Sequence, residues 1–130
     1  MEIPPRSQYV GVVRLALASL ARSAALQEDT VDDLKIAVSE ACTNAVLSNE
    51  SAGVDQPVSI SWAEESDRII VEIADRGHLY DGDSSRDSWD SGNVTPRVTM
   101  SVALLSTLVD DCHFVPRDGG GTVARLIVVR

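Results

Sequence analysis

A two-layer α+β sandwich, with about three helices packed on one face of a mixed, mainly antiparallel sheet, is the architecture this sequence predicts. Three observations carry it. Three segments repeat apolar residues with the period of a helix, and four shorter ones alternate or run apolar as strands do. Their order is helix, helix, strand, strand, long loop, helix, strand, strand. That order lacks the regular alternation of a doubly wound parallel sheet. The chain has 130 residues, enough for one real core, and residues 1–130 are read as a single domain.

The first helix is expected from Ser7 to about Leu26, where Val10, Val13, Leu17, Leu20, Ala21 and Ala24 recur at helical spacing. "QEDT" breaks the pattern. Thr30 is placed to cap the second helix, with Asp33 three residues on as a weak capping box. That helix runs to about Ser48 on a stripe of Leu34, Val38, Ala41, Cys42 and Ala45. "NESAGVDQP" reads as a loop. "PVSISWAE" alternates, with Val58, Ile60 and Trp62 on one face. "RIIVEIAD" follows across "ESDR", so the pair forms an antiparallel hairpin. From Arg76 to Thr95 lies a polar stretch of 20 residues with little periodicity. Loops of that length in compact domains are usually functional or mobile. Thr95-Pro96 opens the third helix with a capping threonine and a proline at the first helical position. It runs to about Asp111, burying Val98, Val102, Leu105 and Val109 with Leu108 alongside. "CHFVPRD" is a short strand, "GGGT" a tight turn, and "VARLIVVR" a final strand apolar enough to lie centrally.

The net charge is −9 and the isoelectric point about 4.5. That balance opposes direct binding of nucleic acid, whose phosphates want a basic patch, and of an anionic membrane surface. No run of about 18 uncharged apolar residues is present to span a membrane. "MEIPPR" has neither the basic nor the apolar region of a secretion signal. Cys42 and Cys112 both fall in apolar patterns, which suits a reduced, cytoplasmic protein with two core thiols. Two histidines, His78 and His113, are too few for an ordinary zinc site.

In "AVSEACTNAV", Glu40 and Asn44 stand at i and i+4, so their side chains neighbour each other beside the apolar stripe. A carboxylate and an amide oxygen at that spacing can share a hard cation such as Mg²⁺, and the carboxylate can act as a general base. Taken alone, the pair reads first as the solvated rim of a helix. Asp75-Arg76-Gly77 ends an apolar strand. An aspartate there can accept hydrogen bonds from the amino group of a bound base, and the glycine permits close backbone approach. An ordinary β-turn uses the same residues. Arg97 lies in the first turn of the third helix, where a cation opposes the helix dipole. Either a bound anion or the acidic loop of Asp81, Asp83, Asp87 and Asp90 accounts for it. No nucleophilic triad or GxxxxGK[ST] loop is present.

The order of these signals is more telling than any one of them. "VSEACTNAV", then "ADRG" after a strand pair, then a long loop, a helix, and "GGGT" opening a final strand together resemble the ATP-binding domain of the GHKL superfamily. The length and arrangement resemble its RsbW-like anti-sigma-factor serine kinases over nearly the whole chain. The resemblance implies a Bergerat-type sandwich that binds ATP and Mg²⁺, with an ATP lid in the loop 76–96. It implies a serine kinase that sequesters a sigma factor and phosphorylates an anti-anti-sigma (STAS-domain) protein in partner switching, and a homodimer in the cytoplasm. By position, Glu40 matches the general base and Asn44 the Mg²⁺ ligand. Asp75, with Gly77 beside it, matches the reader of the adenine amino group. Arg97 matches an arginine near the γ-phosphate, and Thr122 the threonine bordering the adenine site.

The chain departs from the family pattern in three places. Thr99 and Ser101 stand where lid glycines cradle phosphates, and a Cβ there limits backbone approach. "DRGHLYD" lacks a second glycine after Gly77, and "LSN" closes the second helix where a histidine or similar residue is usual. The alternative function is therefore a non-catalytic sigma-binding protein with weak or lost ATP binding. A third, a nucleotide-binding domain detached from a sensor histidine kinase, lacks the histidine-bearing helix pair. For a dimer, the first helix offers Val12, Leu15, Ala16 and Ala18 outside its main stripe.

Overall fold

The structure is a computed structural model describing the backbone of residues 1–77 and 96–130 and the side chains of 1–77 and 100–130. Strand β1 (Glu2–Ile3) is followed by a single 3-10 turn (Ser7–Tyr9), helix α1 (Val10–Ser23) and helix α2 (Glu28–Ser51). Strands β2 (Val58–Glu64) and β3 (Arg68–Ala74), helix α3 (Pro96–Leu108), and strands β4 (Asp111–Pro116) and β5 (Thr122–Val129) complete it. The sheet order is β1-β2-β3-β5-β4. The expected α+β sandwich is present. Where a mixed, mainly antiparallel sheet is expected, every pairing among the described strands is antiparallel.

One face of the sheet meets the helices. Period-two alternation puts Val58, Ile60 and Trp62 of β2 beside Ile69, Val71 and Ile73 of β3, with Ala124, Leu126 and Val128 of β5 next along. Val13, Leu17 and Ala21 of α1 join the same core with Leu34, Val38, Ala41 and Ala45 of α2 and Leu105 of α3. Removing each large side chain from water contributes roughly 1.5–3 kcal/mol. The alanines on α2 let its backbone approach the sheet, so the polar residues at the margin of the stripe reach the strand ends.

Several sequence expectations change. α2 starts at Glu28 with Gln27 as its cap and no side-chain capping bond, so Thr30 lies inside the first turn. Glu28 and Asp29 in that turn favour the early start through the helix dipole. The helix also continues to Ser51, taking in residues read as loop. Leu20 is exposed and Ala18 buried, so Ala18 cannot serve an outward dimer face, whereas Val12 and Leu15 are exposed. α3 ends at Leu108, short of the expected Asp111; Leu105 on it and Val109 just past its end are buried, but Val102 is on the surface. The two-residue β1 carries no readable alternation. It pairs Glu2 and Ile3 with Ser59 and Val58 of β2 and buries Ile3, with the amino terminus donating to the Ile60 carbonyl at 2.8 Å. Residues 78–95 of the loop 76–96 expected as an ATP lid, the Thr95 cap and the side chains of Arg97, Val98 and Thr99 lie outside the described residues.

Candidate active site

Glu40, Asn44 and Ser48 form a row at i, i+4 and i+8 on α2. Ala41, Cys42 and Ala45 are buried in the core, and this fixes the rotation of the helix. Asn44 and Ser48 are buried and Glu40 is half-buried. At one end of the row α3 closes over the pair. Asn44 Nδ2 donates to Ser101 Oγ at 2.7 Å, and Ser101 Oγ donates to Glu40 Oε2. Ser101 is itself buried.

About 12 Å along the helix axis, the row ends at Asp75. This aspartate follows β3 and is only 4% exposed. Its Oδ1 accepts from Ser48 Oγ at 3.1 Å and from the Gly77 N–H at 3.0 Å, and its own N–H donates to the Thr122 carbonyl at 2.9 Å. Burial pushes the carboxyl from its ordinary 3.8 to about 6, against the opposing pull of the Gly77 N–H, Ser48, the Thr122 backbone and Arg117. The Thr122 hydroxyl beside it is buried and has no hydrogen-bond partner among the described residues.

Two glycines set this corner. A Cβ on Gly77 would lie 2.0 Å from the Ser48 carbonyl oxygen and 2.5 Å from Asn49 N. The close approach expected of Gly77 is therefore made to the α2 backbone. Gly121, at φ +102°, would place a Cβ 2.1 Å from the Asp75 carbonyl oxygen. Around them lies a reciprocal set of bonds. Arg76 Nη1 donates to the carbonyls of Asp118 and Gly120 at 2.9 and 3.0 Å, while Arg117 Nη1 donates back to the Asp75 carbonyl at 2.9 Å. Asn49 Oδ1 accepts from the Arg76 N–H at 2.8 Å. The end of β3, the β4–β5 turn and the end of α2 are thus tied together.

Of the residues singled out from the sequence, Glu40 and Asn44 meet Ser101 at one end, and Asp75 meets Gly77 and Thr122 at the other. Arg97 and Thr99 are outside the described side chains. Ser48 and Asn49 were not singled out, although they are the "LSN" of the departure noted above. The signal for Ser48 is its i+4 continuation of the Glu40–Asn44 row. The donor set is chemically coherent. A buried, partly ionised carboxylate beside an unpartnered hydroxyl suits a heterocycle that both donates and accepts. Carboxylate and amide oxygens suit a hard divalent cation.

Residues 3–128 match the family model described as the histidine kinase-like ATPase domain. The chain is 37% identical over 132 residues to serine-protein kinase RsbW of Bacillus subtilis, covering 95% of this chain and 81% of that protein. It is 38% identical over 135 residues to serine-protein kinase RsbW of Bacillus velezensis, with the same coverage. Over 125 residues it is 30% identical to the protein of that name in Bacillus cereus, covering 92% and 78% of the two chains.

Proposed function

The chain belongs to the histidine kinase-like ATPase family, among the RsbW serine-protein kinases, and from that premise we propose that it binds Mg-ATP, holds a sigma factor inactive and phosphorylates a serine of an anti-anti-sigma (STAS-domain) protein. The observation that supports this most is the two-ended row on α2. Asp75 and the unpartnered Thr122 hydroxyl lie at one end, and the Glu40–Asn44 pair at the other. The first end suits an adenine ring and the second a phosphoryl transfer.

In this reading Asp75 accepts a hydrogen bond from the adenine amino group. Ser48 and the Gly77 N–H hold its other contacts in place. Asn44 would hold the Mg²⁺, which when bound neutralises phosphate charge. Glu40 accepts the proton of the acceptor serine as its oxygen bonds to the γ-phosphorus and ADP departs. Arg97, by its position in the family pattern, would offset the charge that develops on the transferred group. The protein works in the cytoplasm, where ATP and sigma factors are found. A homodimer formed through the exposed Val12 and Leu15 of α1 completes the proposal.

Calorimetric titration of Mg-ATP into the pure protein tests the first step, and transfer of labelled phosphate to a STAS-domain partner tests the second. Asn44→Ala removes the binding heat. Glu40→Ala keeps the heat and abolishes transfer. Absence of heat from wild-type protein at millimolar Mg-ATP refutes the kinase reading and leaves sigma sequestration as the function. Normal transfer by Glu40→Ala refutes the assignment of the base.

A further inference from the structure

The Glu40 end of the site holds a feature that a kinase acting only on a partner does not need. A serine hydroxyl of the chain itself donates to the carboxylate assigned as the general base. The same oxygen accepts from Asn44 Nδ2 at 2.7 Å. A hydroxyl that donates to a carboxylate base is the pairing by which a nucleophile is activated. Helical side chains lean toward the N-terminus of their helix, so Ser101 Oγ lies over the preceding turn of α3, on the side that faces α2.

We infer that Ser101 is an internal phosphoryl acceptor, a self-modification site in which this chain phosphorylates its own helix α3. The inference rests on the ATP-site reading above. In the step, Ser101 Oγ forms a bond to the γ-phosphorus of ATP and the bond to the β-phosphate oxygen breaks. ADP leaves, and the Ser101 proton passes to Glu40 Oε2 and from there to solvent, which restores the carboxylate. No further reactant is required. The product sets a phosphate of charge about −2 against the Glu40 carboxylate. Repulsion between them drives the α3 turn away from α2 and keeps a partner's serine from a base that already faces like charge. A glycine at position 101 offers neither the acceptor nor this consequence.

The test uses the full chain alone, with Mg-ATP labelled in the γ-phosphate and no partner protein. Nucleotide binding is titrated on the same samples. The expected result is one phosphate per chain on the peptide carrying Ser101, absent in Ser101→Ala and at least tenfold slower in Glu40→Gln. Its first-order rate constant is independent of protein concentration, as an intramolecular step requires. The phosphorylated protein, freed of nucleotide, melts below the unmodified protein and returns to the original melting temperature after phosphatase treatment. Nucleotide binding without incorporated phosphate overturns the inference and leaves the ATP site standing. So does phosphate that persists in Ser101→Ala, or a rate that rises with protein concentration. Failure to bind nucleotide overturns the ATP-site reading itself, and the inference with it.

Discussion

Replacing Gly77 by alanine tests how the Asp75 corner is built. The added methyl carbon would sit 2.0 Å from the Ser48 carbonyl oxygen and 2.1 Å from its carbon, where real contacts stay beyond 3.0 Å. Both atoms are backbone of the last turns of α2 at a fully buried residue, so neither can swing aside. The chain after β3 must retreat by about 1 Å or more, which costs about 1–3 kcal/mol as overpacking. The retreat stretches the 3.0 Å bond from the Gly77 N–H to Asp75 Oδ1. A hydrogen bond to a charged group contributes about 1.5–3 kcal/mol. Together these give a loss of about 3–5 kcal/mol. For a domain of this size that lowers the melting temperature by about 10–20 °C. Gly53→Ala is the matched control. Gly53 has φ +66° with nothing within 4 Å of an added Cβ, so the change costs only left-handed strain of about 1 kcal/mol. Thermal melts of the two variants decide the matter, with Mg-ATP titration alongside. If Gly77→Ala melts within a few degrees of Gly53→Ala, the steric account of this corner is wrong.

Further outcomes follow from the same geometry. Asp75 has a folded pKa raised from 3.8 to about 6. Its contribution to stability is complete below the lower value and is lost as pH rises through the higher, about 3 kcal/mol in all. Denaturant titrations should show the stability advantage of wild type over Asp75→Asn shrinking by about 1.5 kcal/mol between pH 5 and pH 7.5, and a constant difference excludes this. Nucleotide affinity moves the other way, strengthening as pH rises through about 6, because only the ionised carboxylate is a pure acceptor. Arg76→Ala removes two bonds to the β4–β5 turn and should cost about 1–2 kcal/mol. Nucleotide binding should weaken with it, since the turn leads into Thr122; a variant that loses stability but binds normally separates the two effects. Leu105→Ala empties a fully buried position on α3 and should destabilise by about 2–5 kcal/mol in chemical denaturation.

Most of the secondary structure was legible because it is written in local periodicity. The stripe from Leu34 to Ala45 and the alternation of Val58, Ile60 and Trp62 appear in the structure as read. The boundaries of α2 were not. The dipole preference of Glu28 and Asp29 outweighed the cap expected at Thr30. The Glu40–Asn44 pair is visible through its i, i+4 spacing, and Ser48 continues the same row at i+8. The "GGGT" turn was also visible, but not that Gly121 must lack a Cβ to pass the Asp75 carbonyl.

The sequence by itself determined which faces of its helices and strands are apolar. By resemblance it also named the polar residues that gather at their margins. Both depend on neighbours within a few positions, where 3.6- and two-residue periods dictate direction. Only the tertiary structure decided what those residues touch. Ser101 meets Glu40 across 61 positions, Ser48 meets Asp75 across 27, and Arg117 reaches the Asp75 carbonyl across 42. Such contacts depend on how closely α2, α3 and the strand ends pack, and the raised pKa of Asp75 depends on the burial that packing creates. No local pattern in the chain encodes that distance.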